Sequence, residues 1–306
     1  MRQPELAARD VALLSLLARG CVLRLDQVQV VYGTQRYHYK RLAVLEERGY
    51  VLRRGRYVQI GKKGLAALGL NSRPLDVRRD WQREYRARVA DVYFALGNWD
   101  FQFALEYKRR AEIRGNARFD AVISRGGVSY ALYLLNKSVR RATLSALRRD
   151  WASLRGWKLD GVVVLCPSPE TLRAVETLPC DGVPSLLALP YPFGVGILNS
   201  LDRVEAEVER LFPGFRPCAR PFADLEKGGV FVTVLVANDL VKRRLLQDYL
   251  THVRAVEGRK NVVVCLESQE PRFRQVLPGV EFVSLSDSAV LDVKAAAGRP
   301  EKTASD

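Results

Sequence analysis

Three short stretches of helical apolar spacing, each closed by a glycine, are followed by two apolar runs about a basic turn, all within the first seventy residues. No other feature of the chain limits its fold as tightly. Leu6, Val11, Leu13, Leu14, Leu16 and Leu17 describe an amphipathic helix that ends near Gly20. The spacing predicts a second helix over 25–32, with Asp26 in its first turn and Gly33 as its stop. Thr34 is a good N-cap for a third helix over 35–48, whose apolar positions are Tyr39, Leu42, Val44 and Leu45 and whose end is Gly49. Tyr50-Val51-Leu52 and Tyr57-Val58-Gln59-Ile60 then flank Arg53-Arg54-Gly55-Arg56, which makes a hairpin with a basic tip. Gly61-Lys62-Lys63-Gly64 opens a last helix over 65–70.

Three helices and a basic hairpin, in that order, are the arrangement of a winged helix-turn-helix. The phrase LxxLxxRGYVLRRGRYVQIGKKGLAAL resembles that family over about sixty residues. The resemblance implies a double-stranded DNA partner, with the third helix in the major groove. Gln35, Arg36, Tyr37, His38, Lys40 and Arg41 are then the candidates for its exposed side, because amide and guanidinium groups pair bidentately with base edges. Arg53, Arg54 and Arg56 on the wing, with Lys62 and Lys63 behind it, suit phosphate or minor-groove contact. His38 reads as a surface or phosphate contact, since no second metal ligand lies near it; Tyr37 and Tyr39 also fit core packing.

Charge agrees with this placement. Residues 1–70 hold thirteen Lys and Arg against five Asp and Glu, so the segment carries +8 of the chain's +15. Such an excess calls for a polyanionic partner. A membrane surface is the other polyanion, but no apolar run approaches the roughly 20 residues needed to span a bilayer, and MRQPELAARD has no signal-peptide core. A cytoplasmic, nucleoid-associated protein is expected. Five scattered cysteines and two histidines make no metal-ligand pattern, so free buried thiols are expected rather than zinc, haem or disulfides.

Beyond a polar linker over 71–80, the rhythm changes. A helix over 81–96 precedes strand-like runs at 101–106, 119–124 and 129–135, the last two joined by Gly126-Gly127. A basic helix over 143–157, strands at 161–166 and 185–189 and a helix over 169–178 complete an α/β region over 81–198. A second α/β segment over 199–293 runs strand 230–237, helix 238–256, strand 261–267, helix 271–277 and strand 280–285. Asn136-Lys-Ser-Val139-Arg140-Arg141 parallels Asn238-Asp-Leu-Val241-Lys242-Arg243, and Val162-Val163-Val164 parallels Val262-Val263-Val264. Two βαβαβ halves explain both pairs. Residues 201–229 would bridge them, and 294–306 reads as a disordered tail.

The sequence contains no P-loop, dinucleotide fingerprint, HExxH or GxSxG. Asp120 after Arg118-Phe119, then Tyr133-Leu134-Leu135-Asn136-Lys137 and a basic helix, resembles a PD-(D/E)XK nuclease core. A winged helix followed by RxDAxI…yxlyLLxK is similar to the replication-relaxation family of plasmid and mobile-element proteins, over about residues 5–170. In such cores Asp120 and an acid two residues before Lys137 would bind Mg²⁺, and Lys137 would steady the attacking water. The second acid is Leu135 here, which offers a hard cation no oxygen. Glu84, on the preceding helix, does not easily replace the missing ligand, and Glu106-Tyr107-Lys108 supplies an ExK that precedes Asp120 and so reverses the usual order. The leading expectation is a non-enzymatic, sequence-specific DNA-binding protein without a cofactor, acting in plasmid or mobile-element replication, transfer or their control. Its nuclease-like domain would serve assembly as a homodimer, bind a partner of that machinery, or hold DNA through Arg140 and Arg141. The alternatives are a Mg²⁺-dependent endonuclease with an atypical site and a transcriptional regulator that senses a small ligand in a cleft between its halves.

Overall fold

The computed structural model describes residues 6–33, 37–113 and 117–291. These residues form a mixed α/β protein with fourteen α-helices and three sheets. None of the helices is long and apolar enough to cross a membrane. The expected tail over 294–306 lies outside the described residues.

The chain divides into two compact units: Met1–Ala95 with Phe101–Gly115 and Asp120–Val122, and Leu96–Asp100 with Asn116–Phe119 and Ile123–Asp306. The first begins α1 (Ala8–Ala18), β1 (Leu23–Arg24), α2 (Leu25–Tyr32), α3 (Tyr37–Glu47), β2 (Val51–Arg54), β3 (Tyr57–Ile60) and α4 (Lys62–Ala67). The strands make an antiparallel sheet of order β1-β3-β2, with Leu23 opposite Val58 and Val51 opposite Ile60. Leu13, Leu14 and Leu17 of α1, Val28 and Tyr32 of α2, and Leu42 and Leu45 of α3 are all buried. Each fully buried aliphatic side chain contributes about 1.5–3 kcal/mol, so short helices that would fray alone hold together here. Gly33 ends α2 in the left-handed region at φ +65, returning its N–H to the Gln29 carbonyl. Helix α4 starts at Lys62, earlier than its apolar spacing suggests. Gly64 permits this: a Cβ there would sit 2.7 Å from Ile60 Cδ1 and closer still to the Tyr50 carbonyl oxygen.

The expected linker forms no helix or strand before α5 (Asp80–Ala95), yet it is held down. Val77 packs with Val22, Tyr57 and Ala87, and the buried Arg83 guanidinium donates to the Val77 and Arg78 carbonyls at 3.0 and 2.7 Å. The break expected at 71–80 therefore falls inside the first unit. The strand expected over 101–106 ends early as β4 (Asp100–Phe103). Ala104 turns its N–H to the Asp120 carbonyl and starts α6 (Ala104–Arg110), whose good helix formers end in three cations that complement the C-terminal dipole.

The second unit repeats one motif. Strands β5 (Ala121–Arg125) and β6 (Val128–Leu134) meet at Gly126-Gly127, with φ +58 and +82. Strands β10 (Leu225–Lys227) and β11 (Val230–Val234) meet at Gly228-Gly229, with φ +56 and +81. Two-residue turns with both φ positive join antiparallel strands, which is why both pairs are glycine. After the first turn come α7 (Arg141–Trp151), β7 (Gly161–Cys166), α8 (Pro169–Glu176) and β8 (Leu186–Pro190). After the second come α11 (Leu240–His252), α12 (Arg254–Glu257), β12 (Lys260–Leu266), α13 (Glu270–Val276) and β13 (Glu281–Leu285). Between the halves lie α9 (Phe193–Asn199), α10 (Leu201–Leu211) and β9 (Arg216–Pro217), and α14 (Asp287–Val290) follows β13. Strands β6, β7 and β8 pair in parallel, as do β11, β12 and β13, so each half is a βαβαβ unit entered through a hairpin. The sheet orders are β4-β5-β6-β7-β8 and β13-β12-β11-β10-β9.

The register corrects the alignment by one residue. Counted from the glycine turns, Ala131 and Thr233 are equivalent, and they pair with Val162 and Val263 rather than Val162 and Val262. The Val-rich β7 is buried along its whole length and β12 from Asn261 onward, as expected of parallel strands covered on both faces.

Candidate nucleic-acid interface

Helix α3 turns His38, Leu42 and Leu45 inward. That is i, i+4, i+7 spacing, so residue 39 cannot share the buried face. His38 is fully buried, with its ring 4.0 Å from that of Tyr39. This corrects its expected place as a surface or phosphate contact. Tyr37 and Tyr39 are instead 51% and 50% exposed, so core packing is excluded for both. Leu42 and Leu45, counted back by one turn, point to residue 38, and that signal was available in the sequence. Gln35 and Arg36, with the Thr34 cap, lie outside the described residues.

The Arg41 guanidinium is committed to Asp10. Its guanidinium Nε donates to both oxygens of Asp10, at 3.0 and 2.8 Å, and Nη2 closes the fork. Asp10 is inaccessible to solvent and also accepts the Tyr32 hydroxyl at 2.7 Å and the Ala7 N–H at 2.9 Å. Burial alone would raise its carboxyl; the donations from Arg41, Tyr32 and Ala7 outweigh that and hold it below the usual range. One carboxylate thus ties α1, α2 and α3 together.

Other cations of the module differ in their pairing. Arg19, Arg24 and Arg56 are paired with Glu106, Asp91 and Glu84. Lys40, Arg54, Lys62 and Lys63 are exposed, Arg53 partly so, and none has a carboxylate partner among the described residues. Arg53 does donate to the Gly55 carbonyl across the hairpin turn, at 3.2 Å. The two-residue turn Gly55-Arg56 thus follows two arginines without carboxylate partners among the described residues, and Arg56 itself is paired with Glu84.

The nuclease-like candidates do not converge. Glu84 accepts the Tyr57 hydroxyl at 2.6 Å and Arg56 at 2.9 Å. Burial would raise this carboxyl, but those donors hold it low. The next residue, Tyr85, donates instead to Asp120 at 2.8 Å, and neighbours on a helix point about 100° apart. Burial and the Asp120 carboxylate push the Tyr85 hydroxyl well up, so it stays a donor and Asp120 is an anchor for α5. Leu135 is buried, and Lys137 is exposed in the loop after β6. Among the described residues no three His, Cys, Asp or Glu gather as metal ligands, and the residues present do not fit the Mg²⁺ of a nuclease core. Burial pushes the thiols of Cys21 and Cys166 up to about 12 and that of Cys265 to about 11, which leaves them protonated. Arg140 and Arg141 are exposed at the start of α7, and Arg148 and Arg149 at its end.

Side chains bridge the joint between the two halves. Glu176 accepts Asn238 at 3.2 Å, Arg243 at 3.0 Å and Arg272. A cavity of about 440 Å³ lies within the first half, lined by Ser145, Arg148, Arg149, Trp151 and Asp181 among others. Comparison with protein-family models, with curated proteins and with solved structures finds no match.

Proposed function

We propose that residues up to about 70 form a winged helix-turn-helix that binds double-stranded DNA through α3, the β2–β3 wing and the start of α4. The element order α1-β1-α2-α3-β2-β3-α4 is the one this module uses, including the short strand β1 paired beside the wing. One observation carries the reading. Lys40 of α3, Arg53 and Arg54 of the wing and Lys62 and Lys63 at the start of α4 have no carboxylate partner among the described residues, whereas Arg41 and Arg56 are committed to Asp10 and Glu84, so five cations along these three elements are left for a polyanion. Tyr37 and Tyr39 beside Lys40 supply apolar surface for base edges such as the thymine methyl.

The resemblance to the replication-relaxation family supports a role in plasmid or mobile-element replication, transfer or their control, with a homodimer or a partner protein held by the α/β region. Nothing in the site favours the endonuclease: Glu84 and Asp120 are committed to different partners, and Leu135 has no oxygen. The open cavity beside Arg148 and Arg149 is the place a ligand-sensing regulator would use.

Five phosphate contacts, from Lys40, Arg53, Arg54, Lys62 and Lys63, predict that log K falls with log salt at a slope of about −4.5. Fluorescence anisotropy of the full chain on duplex fragments recovered by genome-wide binding measures it. The variant Arg53→Ala/Arg54→Ala should weaken binding to every duplex and flatten the slope by about 2. An unchanged affinity and slope would refute the interface.

A further inference from the structure

The two halves of the second unit are joined by a contact that uses equivalent parts of each only once. In the joint, the loop before α11 lies against β8, the last strand of its sheet. Asn238, at φ +45, donates its amide to the Ala188 carbonyl at 2.7 Å and receives the Ala188 N–H at 3.3 Å. Asp239 accepts the Ser185 hydroxyl at 2.7 Å. Arg243 and Arg244 reach across to Glu176. The unpaired edge of β8 is thereby closed, which is how sheet edges are kept from wrong pairing.

The repeat supplies a second copy of each surface. The loop that matches Asn238-Asp239 is Asn136-Lys137, followed by Arg140 and Arg141 where the second half has Lys242 and Arg243. Asn136, Lys137, Arg140 and Arg141 are exposed. The strand that matches β8 is β13, which ends its sheet on the same side of the parallel set. Val162 pairs with Leu186, and its equivalent Val263 pairs with Phe282, so Glu281 is the counterpart of Ser185 and Ser284 of Ala188. The hydrogen-bonding phase agrees. The Ser185 carbonyl accepts from β7 and the Leu285 carbonyl from Glu267, which turns the peptide groups of Ala188 and Ser284 outward.

Charge has been exchanged at the equivalent position. Where Asp239 meets Ser185 inside the chain, Lys137 would meet Glu281. Both are exposed, and neither has an oppositely charged partner among the described residues.

We propose that β13 is the docking edge for a second copy of this chain, which seats its Asn136–Lys137 loop there and repeats between molecules the joint made within each. The contact is heterologous, so it propagates head to tail into short chains or rings rather than closing as a two-fold dimer. It would align successive copies along one duplex, but it needs no DNA.

Sedimentation velocity of the full chain without DNA, over concentrations up to about 1 mM, tests this. Association that weakens with added salt is expected. Lys137→Glu and Glu281→Lys, both at exposed sites, should each weaken it at least tenfold. An equimolar mixture of the two single variants should regain it, because each restores an opposite pair with the other; a folding defect would not be rescued by mixing. A monomer throughout, or an oligomer indifferent to both substitutions, overturns the proposal. So does association that appears only when residues 292–306 are removed, since the chain's own end would then be what covers the edge.

Discussion

Asp10 is the residue on which the geometry of the N-terminal helices turns, and replacing it is the sharpest test of how that module is built. Its carboxylate is sealed from solvent and takes donors from α3 (Arg41), α2 (Tyr32) and the backbone ahead of α1 (Ala7). Asp10→Ala leaves the Arg41 guanidinium, 18% exposed, without its counter-charge in a largely dry site. Removing one partner of a buried pair costs about 3–5 kcal/mol. Tyr32→Phe removes one hydrogen bond to a charged acceptor and should cost about 1.5–3 kcal/mol. A chain of two units does not unfold in one step, so hydrogen exchange of the intact protein, read peptide by peptide, is the suitable assay. Amides of α1 and α3 should exchange two to four orders of magnitude faster in Asp10→Ala, while those of β12 do not change. The sign of the pH dependence follows from the depressed carboxyl. Its contribution is fully present above the ordinary carboxylate range near pH 4 and is lost as the pH falls through the lower folded value. Acid should therefore loosen α1 and α3 in the natural protein and have little further effect in Asp10→Ala. Less than fivefold faster exchange at neutral pH would refute the claim that this pair holds the three helices.

Lys40→Ala and Arg41→Ala, one residue apart, should separate contact from scaffold: the first weakens DNA binding with exchange in α1 unchanged, the second weakens binding and raises that exchange together. Gly64→Ala sets two effects against each other. Helix propensity favours alanine by about 1 kcal/mol, but the Cβ would meet Ile60 Cδ1 at 2.7 Å and the Tyr50 carbonyl more closely still. Overpacking against backbone costs about 1–3 kcal/mol, so a net loss of thermal stability is expected, and a raised Tm would contradict the packing. Glu176→Ala leaves the buried Arg243 uncompensated and should speed exchange in β8 and the 235–239 loop; no change there would mean that the joint rests on the Asn238 and Asp239 contacts rather than on this carboxylate.

What could be read from the sequence was whatever repeats with a fixed period. Helix α2 occupies the expected residues, β3 and β7 likewise, and the glycine stops at 33 and 49 fall where the spacing put them. Local pattern failed where a tertiary contact decides. Strand β1 is two residues long and exists because Leu23 and Arg24 pair with β3, so no alternation could announce it. Tyr39 looked apolar and His38 polar, and the helix buries the histidine because Leu42 and Leu45 fix its inward face. Of the candidate DNA contacts, Arg41 and Arg56 could not be told from Lys40 and Arg54 by composition. What separates them is the presence of Asp10 or Glu84 within reach, which depends on long-range packing.

The two halves show the same limit from the other side. The paired Asn loops were visible as a repetition, and the fold adds the turns Gly126-Gly127 and Gly228-Gly229 as equivalent hairpins with nearly equal φ. The residues that break the equivalence, Lys137 against Asp239 and Glu281 against Ser185, look like ordinary surface variation in the sequence. Only the sheet register matches Glu281 to Ser185. A duplicated unit that closed both of its edges internally would keep the same charges in both copies. Here the inner joint is met by Asp239 and Glu176, and the outer surfaces carry the opposite arrangement, basic loop and acidic strand. That difference disfavours a copy folding back upon itself and favours one copy meeting the next.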